Sequence, residues 1–316
     1  MSNATAIYAR ASVGFDHKLA QSRALLRLAE HDFAPVVPGD PPLISQGSSL
    51  GAEDTVITHL INSMELNIGI FVLDTGQFHP ETLQLLEQLK ATSRAPVEVF
   101  TPVNEAVVQF VRREGKDAMY KSLELRKACC HIRKVEPLQR ALKHKKAWIT
   151  GLRREQSGAR AEVPFIDHSD VARAKFNPLA DWTWGDVWHY IEHNQVAYNP
   201  LHDQFFPSIG CAPCTRAISL GEDFRAGRWW WESEDLKECG LHVTPDSTAP
   251  SAVDSHHDEP AGFASKQGQV SLGDVTSAGR VNLDADGPAQ ANFSAAEVKG
   301  TPVPGPRHSK KQGMAA

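Results

Sequence analysis

Two pairs of cysteines, Cys129-Cys130 and Cys211-Ala212-Pro213-Cys214, carry the strongest chemical signal in the chain. Four thiolates in two close pairs look aimed at one metal centre, the setting of structural zinc or an iron–sulfur cluster. Zinc sites usually space their ligands as C-x2-4-C, and an adjacent Cys-Cys departs from that pattern. Spacing alone therefore favours a metal site and leaves the metal open. The fifth cysteine, Cys239, stands alone in Lys237-Glu238-Cys239-Gly240. It reads equally as an inert free thiol or as a nucleophile, with Lys237 favouring the thiolate and Gly240 allowing movement. If the other four hold a metal, Cys239 has no partner within the chain. It could attack a substrate once, and a second thiol would have to come from another protein.

Basic side chains supply a second signal. Arg153, Arg154 and Arg160 follow one apolar run, Arg225 and Arg228 precede three tryptophans, and Arg133-Lys134 follow the Cys pair. Any one of these reads more often as a solvated charge. Together, on a chain of formal net charge -5, they suggest a local site for a small polyanion such as a nucleotide. That net charge gives no overall footprint for nucleic acid. No apolar run approaches the length of a membrane span, and the first residues lack the apolar core of a signal peptide. The expected location is the cytoplasm, where cysteines act as ligands or reactive groups rather than disulfides. His131, His168, His189 and His202 share no metal-ligand spacing and read as structural or surface residues. Trp229-Trp230-Trp231 could stack on a base, but packing is the more common role.

The elements that must position these groups alternate. Residues 15–32 have the apolar periodicity of an amphipathic helix. A short strand begins at Leu43-Ile44-Ser45 and runs into the small-residue turn Ser48-Ser49-Leu50-Gly51-Ala52-Glu53-Asp54, followed by a helix. Strand, turn and helix in this order present backbone N–H groups to an anion. The turn is not a Walker A loop, because no Gly-Lys-Ser/Thr follows. Residues 68–73 form a continuous apolar run, a strand buried on both faces, ending at Asp74-Thr75-Gly76. A helix carries Leu83, Leu85, Leu86 and Leu89; Val97–Phe100 is a third strand; Thr101-Pro102 caps a helix with Val103, Ala106, Val107 and Phe110 on one face. Ala147–Thr150 is a fourth strand. Thr183 and Asp186 form a capping-box pattern at the start of a helix faced by Trp184, Val187, Trp188 and Ile191. The pattern predicts an α/β fold with an open, mostly parallel twisted sheet flanked by helices. Ligands of such sheets sit beyond the carboxyl ends of the strands. Residues 244–316 have only Phe263 and Phe293 as aromatics and read as a disordered tail.

The set SSLGAED, LDTGQFHPET, RKACCHIRK, TGLRREQSGAR, IGCAPCTRA, RAGRWWW and KECGLH resembles the assimilatory adenylyl-sulfate (APS) reductases of the PAPS/APS reductase family. The resemblance spans about Ser48 to His242 and excludes the tail. The paired Cys-Cys with C-x2-C separates the cluster-containing APS reductases from their cluster-free phosphoadenylyl-sulfate (PAPS) relatives. The resemblance implies an adenine nucleotide α-hydrolase-like fold of the ATP-pyrophosphatase type. It implies a 4Fe–4S cluster on Cys129, Cys130, Cys211 and Cys214. Ser48, Ser49 and Gly51, with Asp74, Thr75 and Gly76, would hold the adenylyl part. Lys134, Arg225 and Arg228 would face the phosphosulfate, and Arg153, Arg154 and Arg160 would lie on a loop over the ligand. Cys239 would be the nucleophile and thioredoxin, or a similar dithiol protein, the reductant. The implied organisation is an N-terminal helical segment (1–40), a nucleotide-binding reductase domain (41–232), a mobile segment with Cys239 (233–243) and the tail; a homo-oligomer is admitted. The rival readings are a PAPS reductase and a zinc-stapled nucleotide-binding module without turnover.

Overall fold

The computed structural model of the protein describes residues 4–37, 39–219 and 221–233. The expectations for Cys239, for the tail, and for all but the first residue of segment 233–243 lie outside them.

Six strands form one sheet in the order β3-β2-β1-β4-β6-β5. They are β1 (Ile44–Ser48), β2 (Gly69–Leu73), β3 (Val97–Phe100), β4 (Ala147–Ile149), β5 (Ile166–Asp167) and β6 (Ala174–Phe176). Five run parallel, and β5 closes one edge antiparallel to β6. The central strand β1 lies between β2 and β4, with Gly47 opposite Phe71 and Gln46 opposite both Ile70 and Ile149. Parallel strands need crossovers, and the chain supplies helices for them. These include α3 (Ala52–Ser63), α4 (Pro80–Thr92), α5 (Asn104–Glu114), α6 (Leu123–Cys130) and α7 (Glu136–Ala141). The capping-box helix is α8 (Trp184–Asn194), with Thr183 accepting from the Asp186 amide and Asp186 accepting from that of Thr183.

The cap expected from Thr101-Pro102 falls one residue later. Val103 is the N-cap of α5 and offers no side-chain acceptor. Proline at 102 fixes the approach, but a cap needs a short polar side chain at the N-cap itself.

The N-terminal helices α1 (Ala4–Tyr8) and α2 (Phe15–Asp32) share the main core. Ala4, Phe15, Leu26 and Ala29 are buried with Ile44, Val56, Ile61, Ile149, Trp182 and Trp188. Polar pins reinforce this packing: the Ala4 amide donates to Asp203, the Ser12 amide and hydroxyl donate to Asp186, and Ser22 donates to the Pro178 carbonyl. Among the described residues, no helix is long and apolar enough to cross a membrane.

Between α6 and α7 the backbone passes through one π-helical turn, His131–Val135. Residues 123–141 thus form a nearly continuous helix with a widened turn directly after the cysteine pair. Such turns are rare and concentrate at functional sites.

Candidate functional site

The first wall is the turn between β1 and α3. Asp54 Oδ2 accepts from the Ser49 amide at 2.6 Å and from Ser49 Oγ at 2.7 Å, which folds the turn back on the helix. Burial pushes the Asp54 carboxyl up to about 6, against the lowering effect of the Ser49 hydrogen bonds. Leu50 takes a left-handed backbone (φ 62°), and Gly51 leaves the start of α3 without a side-chain cap. A helix end of this kind presents amides to an anion. Behind the turn, Glu53 Oε1 accepts from Arg153 Nε at 2.9 Å and from Gln156 Nε2 at 3.0 Å. Burial is the largest influence on the Glu53 carboxyl and would raise it; the Arg153 charge and the hydrogen bonds from Gln156, the backbone and Arg153 together hold the group below the ordinary range.

A cavity of about 220 Å³ opens beyond the carboxyl ends of β1, β2 and β4. Its floor is an apolar slot. Gly47 lies between Phe71 and Trp148, and a Cβ there would stand 2.9 Å from the Phe71 ring and 3.4 Å from Trp148. A side chain would fill the slot, so glycine keeps room for a flat ligand. The opposite part of the wall is cationic, with Lys134, Arg160, Arg225 and Arg228. Arg225 and Arg228 are each 8% exposed, so their charges act in a low-dielectric setting. Trp229 lies between two guanidiniums, with Arg126 and Arg228 each 4.6 Å from its ring. Its backbone is left-handed at φ 40°, a strained state for a bulky residue.

The cysteines sit next door. Cys129 and Cys130 end α6, while Cys211 is the N-cap and Cys214 the last residue of the short 3₁₀ turn Ala212–Cys214. The Asp74-Thr75-Gly76 loop links them: Thr75 Oγ1 lies 3.3 Å from Cys211 Sγ, the Thr75 carbonyl accepts from Arg133, and the Gln77 carbonyl accepts from the Ala212 amide. All four cysteines line one small cavity, together with Arg126, Arg133 and Lys134. Lys134 and Cys211 also line the larger cavity, so the two share a partition.

As bare thiols two of them are held protonated: burial pushes Cys129 up, and burial with the neighbouring Cys211 pushes Cys214 up to about 12. A metal reverses this, because its charge displaces the protons. Among the described residues no three His, Cys, Asp or Glu side chains converge on a point where a single metal ion could sit. Four thiols lining one cavity are a donor set that fits a tetrathiolate metal centre.

Ser48, Ser49, Gly51, Thr75, Lys134, Arg160, Arg225 and Arg228 reach the larger cavity. Asp74 and Gly76 stand behind Thr75, where the Asp74 carboxylate accepts from the Gly76 amide. Arg153 and Arg154 are not in its wall. Arg153 is 1% exposed and locked to Glu53, Glu155 and the Trp182 carbonyl, while Arg154 donates to the Val163 carbonyl and lies over Phe165. Residues that sequence reasoning left out of the site are Gly47, Phe71, Trp148, His202 and Trp229. A glycine inside an apolar strand is the one signal that could have found the slot. His202 is buried against Trp184 and Trp188, and burial pushes it down to about 4, so it is a neutral imidazole.

Sheet order, strand-end cavity and cationic wall define an α/β protein with a mostly parallel sheet and an anion-suited cavity beyond its strand ends. Residues 44–217 match the phosphoadenosine phosphosulfate reductase domain. An adenosine 5'-phosphosulfate reductase of Burkholderia cepacia is 54% identical over 66% of this chain and 84% of its own length. One from Allochromatium vinosum is 53% identical over 62% of this chain and 77% of its own. The crystal structure of a phosphoadenylyl-sulfate reductase from Candida auris, a phosphate complex, superimposes with a TM-score of 0.51 at 26% identity, covering 65% of this chain and 97% of that one. The chain belongs to the phosphoadenosine phosphosulfate reductase family.

Proposed function

We propose that the protein reduces adenosine 5'-phosphosulfate to sulfite and AMP in sulfate assimilation. The observation that carries this reading is the partition: a cationic nucleotide-sized cavity and a four-cysteine cavity share Lys134 and Cys211. Its curated relatives carry the name adenosine 5'-phosphosulfate reductase.

The adenine enters the slot over Gly47, and the Ser48–Gly51 turn holds the adenylate. Lys134, Arg225 and Arg228 neutralise the phosphosulfate, without which an incoming thiolate would be repelled. Cys239 is the nucleophile. Its thiolate attacks the sulfur of APS, the bond from that sulfur to the bridging oxygen breaks, and AMP leaves. The product is Cys239–S–SO3⁻. A thiolate of thioredoxin, or a similar dithiol protein, then attacks the Cys239 sulfur and releases sulfite. The second thiol of the donor resolves the mixed disulfide, returning the Cys239 thiolate. The donor is oxidised by two electrons and APS is reduced by two. Such chemistry suits the reducing cytoplasm.

Cys129, Cys130, Cys211 and Cys214 hold a 4Fe–4S cluster in this reading. When bound, such a cluster would set the electrostatic field beside Lys134; both electrons come from the dithiol. Mass analysis after mixing the protein with APS and no reductant tests the scheme. The expected result is one sulfonate on the peptide bearing Cys239. An unmodified peptide, with AMP nevertheless released, would refute it.

A further inference from the structure

The chain that leads to Cys239 departs from a pinned residue. Glu232, seven residues before Cys239, is tied to helix α6. Arg126 Nε donates to Glu232 Oε1 at 2.9 Å, and Arg126 Nη2 donates to Glu232 Oε2 at 2.7 Å. The two side chains are 1% and 7% exposed. The backbone is held at the same place: the Glu232 amide donates to the Trp229 carbonyl, and the Trp229 amide donates to the Cys214 carbonyl. Between them, Trp231 packs edge-on against Tyr120, whose hydroxyl donates to the Pro213 carbonyl.

A charge pair this deeply buried contributes little net stability, because the cost of desolvating both charges offsets their attraction. What it fixes is direction. Two parallel N–H···O bonds allow one orientation of the carboxylate, and so of the chain that carries it. The place of this fork gives it a role. Trp229, three residues upstream, lines the larger cavity beside Arg228. Seven residues of chain span at most about 25 Å, so the fork sets the point from which the Cys239 thiol searches. We propose that Glu232 and Arg126 are positioning residues for Cys239, clamping the root of its segment so that the thiolate is delivered to the sulfate end of the ligand. With the fork broken, the nearest hydrogen-bonded point upstream is the Trp229 amide. The tether to Cys239 then lengthens and loses its direction, which lowers the effective concentration of the thiolate at the cavity. This inference rests on the reading of Cys239 as the nucleophile.

The test is single-turnover sulfonation of Cys239 at saturating APS without reductant. It compares the full chain, purified anaerobically, with Glu232→Ala and Glu232→Gln. Only the glutamate is changed, because Arg126 also reaches Cys130. In Glu232→Ala the sulfonation rate should fall by about tenfold or more, since an attacking group displaced by about 1 Å loses its near-attack geometry. AMP affinity, bound iron and alkylation of Cys239 by iodoacetamide in the absence of nucleotide should all stay within about twofold. Glu232→Gln keeps the shape and an acceptor for Arg126, so it should recover part of the rate. Sulfonation of Glu232→Ala at the wild-type rate, or a fall matched by equal losses of AMP affinity or iron, would overturn the anchoring role. If Glu232→Ala fails to fold, Glu232→Asp, which shortens the fork by one methylene, is read by the same four measurements. Wild-type protein that leaves Cys239 unmodified by APS would overturn the reading of Cys239 itself, a result distinct from a slow variant.

Discussion

Replacing Arg153 with methionine should cost stability far more than a surface arginine would, and the loss should depend on pH. Arg153 is 1% exposed and its Glu53 partner 11% exposed, with Nη2 at 2.9 Å and Nε at 2.9 Å from the same carboxylate oxygen. Removing one partner strands the other as a buried charge, which costs about 3–5 kcal/mol. For a folded unit of this size that lowers Tm by roughly 6–20 °C. In the wild type the Glu53 carboxyl is depressed, because the Arg153 charge and the hydrogen bonds the group accepts together outweigh burial. Glu53 therefore contributes stability above its unfolded value of about 4.3, and that contribution fades as pH falls through the folded value. Without Arg153, burial dominates and the folded value rises above the unfolded one. Glu53 then destabilises the variant at neutral pH, and the penalty shrinks on acidification. Thermal unfolding at pH 7 and pH 5.5, followed by tryptophan fluorescence, reads both effects. Glu53→Gln combined with Arg153→Met should recover much of the lost Tm, because no charge is left buried. A fall of less than about 2 °C at pH 7, or a double variant no better than the single, would refute the view of Arg153 as a structural pillar.

Three further outcomes are expected. Cys239→Ser should abolish sulfite formation while AMP still binds; sulfite production at the wild-type rate would remove Cys239 from the chemistry. Cys130→Ser should lose most iron and acid-labile sulfide in anaerobic preparations, and full iron content would contradict its role as a ligand. Gly210→Ala should weaken APS binding by about tenfold with little change in Tm, since the added methyl runs into the Arg228 guanidinium and displaces it from the cavity wall; unchanged affinity would show that Arg228 tolerates the shift.

The parallel core was legible because its signals are local. Residues 68–73 are continuously apolar, and Thr183 with Asp186 writes a helix start in four residues. β5 and β6 were not: β5 is two residues long, and β6, as short as the apolar β4, carries a lysine at its centre that breaks the apolar run. The four cysteines were legible as a set by type and pairing. Arg153 and Arg154 show the opposite case. In sequence they are indistinguishable from Arg160, and only the fold turns Arg153 inward onto Glu53 and Arg154 toward Phe165. His202 carries no motif, and Trp229, though inside RAGRWWW, could not be told from its two tryptophan neighbours; their place in the cavity wall depends on where distant segments cross.

The widened turn at His131–Val135 has a consequence for which changes the protein can accept. A π turn holds one residue more than the α turn it replaces. Deleting a single residue there would restore ordinary pitch with the flanking segments in register, while side chains within the turn would each be redirected by up to about 100°. Lys134 would leave the partition while both cysteines before it stayed in place. Along this stretch the number of residues is therefore more tightly constrained than the identity of most of them.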